Sequence, residues 1–457
     1  MFASFLQRGI RAFEVIDRVP LFVTRRSKWG PVEITDVIDK TYHEQSKKTG
    51  IPYVPGDQLN GHSEEMCEAR RKWVESSAGK ELPYLKGWWS PHSDTTTDEL
   101  HGLIECPIGM SRIPVGMGGP LLFNGTNVKD YVVAPIATTE GAMVASATRG
   151  SRAFNGSNGV VTCVVKETIS QSPMFVTSNV KQADMLSKWL QSKQEFIQRV
   201  IVARYSDKVT LSKLKPFIDC ETLHMLHVFT TSDDCVVDYD LNILTHAISK
   251  DIATWVEETV PLELPYVDIT ASWAYSGLVG DRKPVQHNSM ASRGIAVAAE
   301  GYISKHHLAK YLKTSAAKLY ETWMLARRAN TRSCTIGTTA NASNLVTAIF
   351  IATGQNLGYI SESSVCYTSI EKDSNGGVQV KVDMPQVMLS LKGGAVNLPT
   401  QRDCLRIIAC EGQDKTRRLA EIIAGFTMAL EVSLISAVSA GHFAEAHDRL
   451  GRNRPKE

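Results

Sequence analysis

The chain has 457 residues, 43% of them hydrophobic and 21% charged, with a formal charge of +2. That is ordinary globular composition, long enough for roughly two or three domains, and too balanced in charge for a nucleic-acid protein. Nine cysteines are scattered with no CxxC pair, which argues against a disulfide framework or structural zinc and fits a reducing cytosol.

In chain order, Met1 to Arg8 is too short of apolar residues for a signal peptide, and acids follow at Glu14 and Asp17, so a surface helix is expected. Pro52, Pro55, Gly56 and Gly61 mark a loop, His62 to Ser77 predicts a charged helix, and Trp88 to Thr97 is a second break. From Ile104 the chain becomes glycine-rich and apolar. Between Lys208 and Ala274, short β-like and helical runs alternate. The pattern predicts a strand over Leu223 to Thr231, a helix over Leu241 to Val256 and a strand over Leu264 to Ala271, a small α+β insert. Beyond Asp281, helical spacing predicts helices over Ala291 to Leu325, Asn341 to Gly354 and Arg417 to Asp448. The most apolar stretch, Ile422 to His442, is interrupted by Glu431 and rich in small residues, and reads as a buried helix rather than a membrane span. His306 and His307 are adjacent and diverge on a helix, so no metal site is expected there.

Three stretches can carry chemistry. Pro107 to Leu121 alternates prolines, which hold the backbone extended, with glycines, which permit close approach. Ala137-Thr138-Thr139-Glu140-Gly141 leads to Ser146, Arg149 and Arg152. There Thr138 or Thr139 can cap a helix, and desolvation of Glu140 can raise its pKa until it serves as a proton donor near neutrality. A capping or ion-paired glutamate fits the same residues. The third is the C-terminal helix carrying His442 and His447, where a histidine near a helix C-terminus favours its charged form, as a proton donor to a thiolate or as an ordinary surface residue.

Taken together, and over most of the chain from about Leu82 to His447, these stretches resemble class I 3-hydroxy-3-methylglutaryl-CoA (HMG-CoA) reductases. Ser276-Gly277 followed by Asp281-Arg282-Lys283-Pro284, the Asn344 to Gln355 helix and the Gly393 to Gln401 loop add to the likeness. The resemblance implies an α/β (α+β) fold. A large catalytic domain (105–207 and 285–449) would be interrupted by a small ferredoxin-like, dinucleotide-domain-like insert (208–274), joined by a loop (275–284). A helical N-terminal region (1–104) and a tail (450–457) would complete it. It implies a homodimer or homotetramer and two NADPH-dependent hydride transfers on a CoA thioester; the membrane anchor usual in the family is absent from these residues, so a soluble, cytoplasmic protein is expected. It further implies Glu140 as the proton-handling glutamate and His447 as the thiolate-protonating histidine. Ser276, Asp281, Lys283, Asn344, Ser146 and Arg149 would serve as substrate-binding residues.

The chain departs from that family at three places. Arg282 stands where an Asp-Lys-Lys-Pro loop has its oxyanion lysine, and arginine is planar, larger and holds its proton. Asn356 follows Gly354-Gln355 where the family has its catalytic aspartate, and an amide cannot ionise. The family's Gly-Asp-Ala-Met-Gly-Met-Asn cofactor segment is replaced by Ser232 to Asn242. That stretch has lost the glycines, and its aspartates (Asp234 among them) repel phosphates, so Asp234 and Asn242 are a degenerate cofactor pair. The leading expectation is a repurposed enzyme without a nicotinamide cofactor, acting on a CoA thioester or on a terpenoid or polyketide-like intermediate of secondary metabolism. It would work by proton transfer: cyclisation, dehydration or isomerisation. Catalytic candidates are Glu140, His447, Arg282 and Asn356. The alternatives are an NADPH-dependent, mevalonate-forming reductase and a non-catalytic partner subunit of one.

Overall fold

The structure, a computed structural model, describes residues 62–78, 80–83, 85, 100, 102–231, 239–291, 293–412 and 415–450. The readings made for the N-terminal leader, for Trp88 to Thr97, for Asp234 and for the tail lie outside the described residues. The chain divides into two compact units, Met1–Ser111 and Arg112–Glu457.

In the first unit, helix α1 (Glu64–Ala78) starts where the Ser63 hydroxyl accepts from the Met66 amide, with Glu64 and Glu65 in the first turn to favour the positive helix end. Arg70 and Arg71 are buried and donate to the carbonyls of Pro107 and Ile108, at 3.4 and 3.3 Å. The helix therefore anchors Pro107 and Ile108 through two buried cations, of which Arg71 is also ion-paired with Glu68 one turn earlier.

The second unit opens with an antiparallel pair, β1 (Val115–Leu122) and β2 (Tyr131–Ala137), covered by α2 (Met143–Asn155). An antiparallel sheet follows in the order β7-β4-β6-β3-β8-β10-β9, with β5 paired to β6. Its strands are β3 (Val161–Gln171), β4 (Met174–Thr177), β5 (Val209–Asp219), β6 (Thr222–Thr231), β7 (Ile269–Trp273), β8 (Gly294–Ile303), β9 (Tyr367–Lys372) and β10 (Val378–Val387). Helices α3 (Val180–Ser192) and α4 (Tyr239–Glu263) complete a β4-α3-β5-β6-α4-β7 unit with strand order β7-β4-β6-β5, the ferredoxin-like arrangement. Strand pairing starts this unit at Met174, ahead of residue 208, because the four-residue β4 is too short to show a period of two.

Helices α5 (Ala316–Arg332), α6 (Ala342–Thr353) and α7 (Thr416–Ser439) pack together, with α7 also against α2, β8 and β10. The helix expected over Ala291 to Leu325 is instead strand β8 followed by α5. Alanines at 296, 298 and 299 favour a helix locally, but the run lies between β3 and β10 and is buried on nearly every residue, so tertiary pairing overrides propensity. The helix expected over Arg417 to Asp448 breaks at Gly441, whose φ is 74°, and resumes as α8 (Phe443–Leu450). Helix α7 is long and apolar enough to cross a membrane, yet 83% of its apolar window is buried within the protein. A Cβ on Gly150 of α2 would overlap the Ala429 carbonyl of α7, so glycine sets the close approach of these two helices.

Candidate functional site

Glu140 lies just before α2. Its amide donates to the Thr138 hydroxyl at 3.0 Å, and its Oε2 accepts from the Asn344 amide nitrogen on α6 at 2.7 Å. Neither Thr138 nor Thr139 caps α2. The helix opens at Met143 behind Ala142, which sits at φ 70° with no side-chain cap, because the turn at 140–142 separates the threonines from the helix start.

Around this pair is a cavity of about 400 Å³. Glu140, Ser146, Arg149 and Asn344 line it together with Leu430 and Leu434 of α7 and Phe443 of α8. Ser433 of α7 fixes two of the polar groups. Its hydroxyl is 2.8 Å from the Ser146 hydroxyl and accepts from Arg149 Nε at 2.9 Å, while its carbonyl accepts from Arg149 Nη2 at 2.5 Å. Burial lowers the pKa of Arg149, so its charge is held at an electrostatic cost inside the pocket. His447 lies on α8, which contributes Phe443, Ala446, Arg449 and Leu450 to the wall; its side chain is outside the described residues. The pocket thus combines a carboxylate, an amide donor and a cation with an apolar wall, the make-up of a site that binds a polar head and an apolar arm.

The wall is braced from behind. Glu431, fully buried in the middle of α7, accepts from the Thr339 hydroxyl (2.8 Å), the Ala340 amide (2.8 Å), the Asn341 amide (2.5 Å) and the Thr368 hydroxyl (2.9 Å). These bonds hold the segment that leads into α6 and so set the position of Asn344. Burial pushes the Glu431 pKa up against those donors.

Asp281, Arg282, Asn356 and Asn242 gather in a second cluster. Arg282 is at φ 59°, with its guanidinium 5.5 Å from the Tyr359 ring. Its amide donates to Glu362 Oε1 at 3.3 Å. Asn356 spends its Oδ1 on the Gly358 amide at 2.9 Å, capping a short turn. Asp281 pairs with Arg293, whose Nε also bonds Glu362 at 3.2 Å and whose Nη1 reaches Ser170 O and Asn242 Oδ1, at 3.2 and 3.3 Å. Asn242 in addition accepts from Gln171, at 3.0 Å. Lys283 is exposed and donates to the Asp281 carbonyl at 3.3 Å, and buried Ser276 donates to the Ser172 hydroxyl at 3.0 Å. Glu362 is completely buried, and burial raises its pKa to about 7 against the opposing effect of Arg293. Burial, then Asp281, raises that of Tyr359.

The structure therefore divides the sequence candidates between two places. Glu140, Ser146, Arg149 and Asn344 share the pocket; Asp281, Arg282, Asn356 and Asn242 share the second cluster. Asn344 is near the start of α6 and Asn356 is beyond its end; from Asn344 to Thr353 the helix advances about 14 Å. Sequence reasoning missed Arg293, Tyr359, Glu362 and Ser433. Only Arg293 carried a local signal, a lone cation beside Gly294 ahead of an apolar run.

The hydroxymethylglutaryl-coenzyme A reductase family model matches residues 66–452. The 3-hydroxy-3-methylglutaryl-coenzyme A reductase of Pyrococcus abyssi is 32% identical over 429 residues, covering 92% of this chain and all of that protein. The corresponding protein of Aeropyrum pernix is 32% identical, over 92% of this chain and 97% of its own. Reductase 2 of Gossypium hirsutum is 32% identical over 76% of this chain and 55% of its own. In structure, the chain is similar to the class II reductase of Streptococcus pneumoniae solved with NADPH in open conformations. That likeness has a TM-score of 0.57 at 15% identity, over 84% of this chain and all of that one, and bears on fold alone. The chain belongs to the hydroxymethylglutaryl-coenzyme A reductase family.

Proposed function

We propose that this chain is a class I-type member of the family that binds a CoA thioester in the Glu140 pocket and works on it by proton transfer, with hydride transfer lost. The observation that carries the reading is the Glu140–Asn344 pair, a carboxylate held at 2.7 Å by an amide in a cavity that also holds Arg149. A glutamate fixed this way can take a proton from carbon or return one to oxygen, and His447 is the second proton group. Arg282 supplies the cation that meets a carbonyl oxygen or an anionic group. Glu140 and Arg282 stand at opposite ends of α6, and the homodimer expected of the family would bring the Glu140 of one copy to the Arg282 of the other.

NADPH, when bound, supplies hydride. The described residues near the degenerate segment do not suit it. Asp240 is ion-paired with Lys392 at 2.8 Å and, as a carboxylate, only accepts, while Asn242 spends its Oδ1 on Gln171 and Arg293 and turns its amide nitrogen to the Tyr359 hydroxyl at 3.4 Å. Asp240 also adds negative charge where phosphates would lie.

The test is deuterium exchange from solvent into HMG-CoA, followed by mass spectrometry. Wild-type protein should wash deuterium into the acyl group and Glu140→Gln should not. Equal exchange in both proteins would remove the glutamate from the chemistry. A second reading, an NADPH-dependent reductase, is favoured by the names of the archaeal relatives that match over nearly the whole chain.

A further inference from the structure

The chain lacks the carboxylate expected beside its loop cation, since Asn356 is neutral and spends its oxygen on the Gly358 amide. A different carboxylate sits there. Glu362 Oε1 accepts from the Arg282 amide at 3.3 Å, and Oε2 accepts from Arg293 Nε at 3.2 Å. Arg293 in turn holds Asp281, the residue before Arg282. Glu362 thus grips both sides of this loop residue, directly through its amide and indirectly through Arg293 and Asp281. Arg282 takes a left-handed backbone, at φ 59°, which a bulky side chain adopts only when its surroundings fix it. Its guanidinium then faces the Tyr359 ring, with Nε 3.9 Å from the Asp281 carboxylate that Arg293 holds, and the side chain stays 54% exposed, a cation held in orientation yet open to a ligand.

We propose that Glu362 is the positioning residue for Arg282, filling the role left by the neutral Asn356: its buried carboxylate holds the loop backbone so that the guanidinium is presented from the Tyr359 ring to the substrate oxygen. This rests on the reading of Arg282 as the substrate's cation. Two further observations support it. Glu362 is wholly buried, so its charge has no water to fall back on and its bonds to Arg282 and Arg293 are the compensation available to it. Its pKa near 7 means that the grip weakens as the carboxyl takes a proton just below neutrality. The groups facing it are Arg293, Asp281 and the Arg282 amide, with Tyr359 on the preceding turn.

The experiment uses the full chain and two readouts. Hydrogen exchange at the Arg282 amide, by mass spectrometry of the loop peptide, reports the anchoring without any ligand. Glu362→Gln should speed it about tenfold relative to wild type at the same pH, the change expected on weakening one charge-assisted bond. Calorimetry with HMG-CoA reports the consequence. Wild-type affinity should fall by about tenfold as pH drops from about 8 to 6, and Glu362→Gln should lose that step. Unchanged exchange in Glu362→Gln overturns the anchoring, whatever binding does. Should that variant not fold, a wild-type affinity that is flat across the same pH range overturns the proposal by itself. Arg282→Ala separates the two levels. Binding as tight as wild type would remove Arg282 as the substrate's cation, whereas lost binding together with a normal pH step in Glu362→Gln would overturn Glu362 alone.

Discussion

Replacing Glu431 with leucine removes the acceptor for four donors and keeps the side chain's approximate volume. The Thr339 and Thr368 hydroxyls can turn to other partners, but the Ala340 and Asn341 amides are fixed by the backbone. Stranding a buried donor costs about 1–3 kcal/mol, so the two amides cost about 2–6 kcal/mol before the relief of no longer burying a carboxyl. Thr339 already accepts from the Asn341 and Ala342 amides, at 3.2 and 2.9 Å, so part of the loss is recovered and the lower half of that range is expected. Glutamine keeps one acceptor oxygen and should cost about 1–2 kcal/mol. Urea unfolding gives the test: the midpoint falls for leucine and less for glutamine, with the slope unchanged. The same substitution should weaken HMG-CoA binding, because the segment that carries Asn344 to Glu140 loses its anchor. A leucine variant within about 0.5 kcal/mol of wild type would show that the carboxylate does not hold the wall of the pocket.

Three other outcomes are expected. Asn344→Ala removes the hydrogen bond that orients the Glu140 carboxyl, so deuterium wash-in should slow about 10- to 100-fold, while urea unfolding should show a loss no larger than about 1.5–3 kcal/mol. Gly150→Ala pushes a methyl into the Ala429 carbonyl; thermal unfolding should show a loss of about 1–3 kcal/mol despite alanine's better helix propensity. Glu362 gives a pH signature in stability. Its folded pKa is raised from 4.5 to about 7, so the native state holds the proton more tightly than the unfolded chain does. The stabilisation is fully present below the unfolded value and is lost as pH rises through 7, by about 3 kcal/mol relative to Glu362→Gln; parallel pH profiles of unfolding for the two proteins would contradict it.

The parts of the fold legible in sequence are those set by local pattern. The charged run after His62 gives α1, and the largely apolar run from Leu223 to Thr231 lies within β6. Glu140 stood out through its place in the family-like stretch, since its neighbours alone fit a capping or ion-paired glutamate equally well. Strand β8 was not, since its alanines favour a helix until β3 and β10 pair with it. The Arg293–Glu362 pair was not either, because its partners are 69 residues apart and neither belongs to a motif. The same holds for Ser433, which reads as one small residue in an apolar helix and proves to hold Ser146 and Arg149. The division of the candidates between the two ends of α6 depends on tertiary placement, which spacing along the chain does not encode.

This family member should bind a CoA thioester without hydride transfer from a nicotinamide. That expectation is tested most directly by titrating the purified protein with NADPH in a calorimeter while following HMG-CoA-dependent oxidation of NADPH in parallel. HMG-CoA binding with no NADPH binding and no oxidation is the predicted result; saturable NADPH binding with steady oxidation would contradict it and restore the reductase.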